Sequence, residues 1–69
     1  MDNKIIYHMI YNVVHGGKVI VVKIHADEDQ AAKPNSKELQ AKVKETLCKH
    51  DALVAEKGKI IFIDKIVAA

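Results

Sequence analysis

The 69-residue chain contains no tryptophan and no arginine, one cysteine, one proline, three glycines, one phenylalanine and two tyrosines. Each scarcity removes a class of function. One thiol cannot build a disulfide framework. Without arginine there is no guanidinium fork to read guanine, and lysine, a point charge, replaces it poorly. With so few aromatic rings there is little on which single-stranded bases can stack. The longest apolar runs, such as Val19 to Val22 and Ile60 to Ile63, are four residues, against roughly 20 needed to cross a bilayer as a helix. No charged stretch followed by a long apolar one opens the chain, so no signal peptide is expected. With a free Cys48, that favours a cytoplasmic location.

What is present is aliphatic and weakly basic. Residues of the hydrophobic types make up 49% of the chain, and eleven lysines face nine acids for a formal charge of +2. Nine isoleucines and eight valines outnumber three leucines, a composition that favours strands. At about 60 residues a domain buries only roughly 60% of its unfolded surface and is marginally stable. Chains of this size therefore need a staple, and with disulfides excluded the choices are a metal or a partner chain.

The pattern along the chain predicts a single α+β domain over residues 1–69. Residues 4–14 and 18–26 are rich in Ile, Val and Tyr and flank Gly16-Gly17, which reads as a tight hairpin because primed turns need positive φ. Asp27-Glu28-Asp29 reads as an acidic loop, and Pro34 turns Lys33 away from helix. Asn35, with Glu38 three places on, reads as a helix N-cap. One helix is expected over 36–53, with Leu39, Val43 and Leu47 on its apolar face. Thr46, His50, Leu53 and Val54 fall near that same side, and Lys37, Lys44 and Cys48 fall opposite. Gly58 is expected to end the helix, and residues 59–67 form a third strand. The architecture is a two-layer ββαβ fold, a three-stranded sheet with one helix on one face, with the antiparallel order 2-1-3 preferred over 1-2-3.

A two-residue loop at Gly16-Gly17 fixes the hairpin register. Met9, Tyr11 and Val13 then stand beside Ile24, Val22 and Ile20 on the face the helix covers. Ile6, His8, Ile10, Asn12 and Val14 fall on the other face with His25, Lys23, Val21 and Val19. In the third strand, simple alternation puts Ile61, Ile63 and Val67 on one side and Ile60, Phe62 and Ile66 on the other. Both faces are apolar, yet one helix covers only one, and a sheet apolar on both sides is normally covered on both. The expected interaction face is therefore Ile6, His8, Ile10, Val19, Val21 and His25. The expected partner is a second copy, since two-fold homodimers are the commonest assembly, joined either by stacking these faces or by pairing edge strands into a continuous sheet.

No residue pattern specifies catalysis or a cofactor. Cys48 and His50 are two apart on a helix and diverge by about 200°, and a thiol late in a helix is disfavoured as thiolate. Gly16-Gly17 joins strand to strand and lacks the spacing of a phosphate loop. Asp27-x-Asp29 lacks the rest of a calcium loop, and Ser36 has no visible His-Asp partners. His8 and His25, cross-strand neighbours, are the candidates for metal ligands, but no complete metal motif accompanies them. Lys37, Lys42, Lys44 and Lys49, followed by Lys57 and Lys59, could meet phosphates, although Glu38 and Glu45 interleave with them as on an ordinary solvated helix. Tyr7 and Tyr11 could stack bases only if the helix left their face open. The reading is a small non-catalytic protein-interaction module, a homodimer that binds another macromolecule as regulator, adaptor or inhibitor. The alternative is nucleic-acid binding through Lys37, Lys44, Lys49, Lys57 and Lys59.

Overall fold

In the computed structural model, which describes residues 5–68, the chain runs through β1 (Ile6–His15), β2 (Lys18–Ala26), α1 (Glu28–Ala31), α2 (Lys37–Cys48), α3 (Ala52–Lys57) and β3 (Lys59–Ala68). Lys4, the expected start of the first strand, lies outside the described residues. Gly16 and Gly17 adopt φ of 56° and 81°, as a two-residue primed turn requires. The turn sets the expected register, with Met9 opposite Ile24, Tyr11 opposite Val22 and Val13 opposite Ile20. The sheet order is β2-β1-β3. Both flanking strands run antiparallel to β1.

The core lies on one side of this sheet. Met9, Tyr11 and Val13 of β1 and Val22, Ile24 and Ala26 of β2 are buried against Ala31, Leu39, Val43, Leu47, Val54 and Ala55 of the helices. Tyr7, Ile20, Ile60 and Phe62 pack around them. Burying one large side chain of this kind stabilises by roughly 1.5–3 kcal/mol. Tyr11 is the pivot. Its side chain is fully buried, its ring meets Phe62 edge to face at 5.4 Å, and its Oη donates to the Pro34 carbonyl at 2.6 Å. That bond ties the α1–α2 connection to the central strand.

The single helix expected over 36–53 is two helices, and a further one-turn helix precedes them. Asp27 caps α1: its carboxylate accepts from the Gln30 amide at 2.8 Å, while the Gln30 side chain accepts from the Asp27 amide at 3.2 Å. The acidic loop is thus a capping box. Ser36, not Asn35, caps α2, accepting from the Leu39 amide at 3.4 Å. After Cys48 the chain turns, and the Asp51 carboxylate accepts from the amides of Leu53 and Val54 to start α3. The break re-aims the last turn. Beyond it Val54, as expected, and Ala55 are buried, whereas His50 and Leu53, expected near the sheet, are exposed; Thr46, within α2 and expected there too, is also exposed.

Gly58 ends α3 with φ −70° and ψ 144°, which any residue can adopt. Glycine is needed there for space: a Cβ would collide with Val13 Cγ1 and the Val54 carbonyl.

Simple alternation also fails in β3. Phe62 stands opposite Tyr11, but Asp64 stands opposite Ile10, so one residue is looped out at Ile63. Beyond this bulge the faces exchange. Lys65 and Val67 join the Met9 and Tyr7 side, and Asp64 and Ile66 join the Ile10 and His8 side. Continued alternation from Ile60 and Phe62 would have put Asp64 on the helix side; with the bulge Lys65 stands there instead, exposed, its ammonium 5.1 Å from the Tyr7 ring centroid.

Candidate functional site: the uncovered sheet face

All three helices pack on one side, and among the described residues nothing covers the other side of the sheet. It presents Ile6, His8, Ile10, Asn12 and Val14 along β1, His25, Lys23, Val21 and Val19 along β2, and Ile66, Asp64, Ile61 and Lys59 along β3. Large aliphatic groups stand open to solvent here: Ile6 is 50% exposed, Val19 57%, Val21 56%, Ile61 41% and Ile66 46%. Ile10 and Val14 in the central strand are half-buried by their neighbours. Three strands of nine or ten residues make a footprint of about 30 by 14 Å at 3.3 Å per residue and 4.8 Å per strand, or about 400 Å². Aliphatic side chains left exposed together on one face mark interaction surfaces when the apolar patch is large; here polar and charged groups interrupt that footprint.

The six residues expected to form the face, Ile6, His8, Ile10, Val19, Val21 and His25, all lie on it. Ile61, Asp64 and Ile66 complete it, and alternation alone did not unite them. The adjacent pair Asp64-Lys65 gave no signal of this, because one of the two falls on each face with or without the bulge.

Polar groups are placed among these aliphatics with some order. Lys23, Ile10 and Asp64 form one row across the three strands, with the cation on the β2 edge and the anion on the β3 edge. The Asp64 carboxylate accepts from the Lys65 amide at 2.8 Å. In another row, His25 and His8 stack with ring centroids 4.5 Å apart and planes 22° apart. Their Nε2 atoms are 2.7 Å from each other, so one ring donates and the other accepts. Asn12 stands between Val21 and Ile61, and its Oδ1 is buried without a hydrogen-bond partner.

The other sequence candidates are dispersed. Asp27 is engaged in capping α1. Among the described residues no three His, Cys, Asp or Glu gather as a metal cluster. Cys48 and His50 are both exposed. Lys37, Lys44, Lys49, Lys57 and Lys59 are exposed too. Lys42 is drawn inward instead, donating to the Gln30 side chain at 3.0 Å and to the His25 carbonyl at 3.4 Å. The rings of Tyr11 and Phe62 are packed into the core layer, and Tyr7 carries the Lys65 ammonium 5.1 Å above its ring. No aromatic side chain is thus offered beside the helix lysines. No described helix is long and apolar enough to cross a membrane. Compared with protein-family models, curated proteins and solved structures, the chain matches none.

Proposed function

We propose that this chain is a small non-catalytic interaction module whose bare sheet face pairs with a second copy of itself, the dimer acting on another macromolecule as regulator, adaptor or inhibitor. The observation that carries this reading is the face itself, an aliphatic layer on the side opposite all three helices. Its charges favour a second copy as the occupant. A two-fold axis running along β1 lays the β2 edge of one subunit over the β3 edge of the other. Lys23 then stands over the partner subunit's Asp64, and Asp64 over the partner subunit's Lys23. Ile10 meets the partner subunit's Ile10 between them. The face is thus self-complementary, as an isologous interface must be. Each closed charge pair also disfavours alternative registers.

The test is a charge exchange read by light scattering coupled to gel filtration. The unaltered chain, 7.7 kDa, is expected to elute at about twice that mass at micromolar concentration. Lys23→Asp and Asp64→Lys should each push the equilibrium to monomer, and the doubly exchanged chain should dimerise again. Ile10→Asp should also give monomer, while circular dichroism shows the helix-covered core folded. A monomeric unaltered chain refutes the pairing, and failure of the double exchange to restore the dimer refutes the axis. Nucleic acid as the occupant would instead appear as binding to generic DNA or RNA that falls steeply with salt.

A further inference from the structure

The His8–His25 pair has a geometry that self-association does not require. The two residues are direct cross-strand partners, so the backbone ladder fixes their separation. Their side chains meet Nε2 to Nε2 at 2.7 Å. They sit on the bare face, with His8 half-buried and His25 exposed, and nothing but the two rings satisfies that contact.

We infer that His8 and His25 form a bidentate site for a late first-row divalent ion, with Cu²⁺ the best fit. Imidazole nitrogen suits this class of ion, and affinity rises along the series to Cu²⁺. Two nitrogens about 2.0 Å from one ion lie about 2.8 Å apart in a square-planar site and about 3.3 Å apart in a tetrahedral one; the rings turn from their resting 2.7 Å contact to reach either, so the preference for Cu²⁺ rests on the affinity series.

The rings are stacked, so the ion is captured by rotation about each Cβ–Cγ bond, which turns both Nε2 lone pairs to one point with the strand register unchanged. The ring that donates in the resting pair moves its proton from Nε2 to Nδ1, leaving both Nε2 atoms free to coordinate. Water fills the remaining positions. The site needs only one chain, so its failure and failure of the pairing reading are separate results.

The test is Cu²⁺ titration of the full, untagged chain by calorimetry, in a Cys48→Ser background so that the exposed thiol does not reduce the ion. One ion per chain is expected. His8→Asn and His25→Asn should each weaken binding at least about tenfold, since even outer-shell changes weaken metal sites by 10–100-fold. His15→Asn and His50→Asn should leave it unchanged. Affinity that survives both His8→Asn and His25→Asn overturns the site. A second readout needs neither of those variants: substoichiometric Cu²⁺ should broaden the ring resonances of His8 and His25 before any others. Broadening that begins at His15 or His50 overturns it equally.

Discussion

Replacing Tyr11 by phenylalanine removes one oxygen from the centre of the domain and leaves the ring in place. That oxygen donates to the Pro34 carbonyl at 2.6 Å, and the tyrosine side chain is fully buried. A neutral hydrogen bond of this kind contributes about 0.5–1.5 kcal/mol net, and a fully buried orphaned carbonyl would raise the loss to as much as about 3. Pro34 is half-buried and the bond itself is part-buried, so the expected loss is about 1 kcal/mol. For a domain this size that lowers Tm by about 4–8 °C. The alkaline limb gives a second, independent reading. Burial pushes the Tyr11 hydroxyl above its ordinary value of 10.0, because the interior disfavours the phenolate. The folded state therefore holds the proton that the unfolded state releases as pH rises past 10. Stability from this group is full below pH 10 and is lost as pH climbs towards the raised folded value. The gap between the unaltered chain and Tyr11→Phe should accordingly narrow above pH 10. Every group other than Tyr11 is common to both chains and cancels in the difference. Thermal denaturation followed by circular dichroism from pH 7 to pH 11.5 measures both effects. Equal Tm at pH 7 would refute the hydrogen-bond argument. A gap that stays constant or widens above pH 10 would refute the burial argument.

Two further substitutions test the packing. Gly58→Ala drives a methyl group into Val13 and the Val54 carbonyl; because backbone must move, the expected loss is about 1–3 kcal/mol, and urea denaturation should show it as a lower midpoint. Asn12→Val removes the orphaned Oδ1 and places an apolar group between Val21 and Ile61. It should raise stability by about 1 kcal/mol in the same measurement, and a lower midpoint would count against the orphaned atom as a liability.

The hairpin was fully legible because its determinants are local. Gly16-Gly17 sets the turn, the turn sets the register, and a period of two then decides which side chains share a face. The six expected face residues follow from that rule alone. The helical segment was legible only in part. Leu39, Val43 and Leu47 carry the right period and are buried. The same period carried on past Cys48 sends His50 and Leu53 to the wrong side, because Asp51 captures the amides of Leu53 and Val54 and restarts the helix. Asp27 with Gln30 three places on, and Asp51 before an apolar run, are capping signals present in the sequence. Their effect depends on whether a short helix finds a surface to pack on, since most helical stability in proteins comes from that packing.

The amino-acid order by itself determined the class of fold, the hairpin register and the existence of a second aliphatic face. These rest on turn chemistry and periodicity, which act over a few residues. Only the tertiary structure decided how β3 joins that face. The bulge at Ile63 exchanges the two faces of β3 beyond it, leaving Asp64 on the bare side and Lys65 on the helix side over Tyr7, and no local preference settles where the exchange falls. Its result is the row Lys23, Ile10, Asp64, in which charges drawn from two strands 41 positions apart in sequence share one line across the sheet. Likewise, pairing in the ladder made His8 and His25 neighbours, but only the packed side chains brought their Nε2 atoms to 2.7 Å.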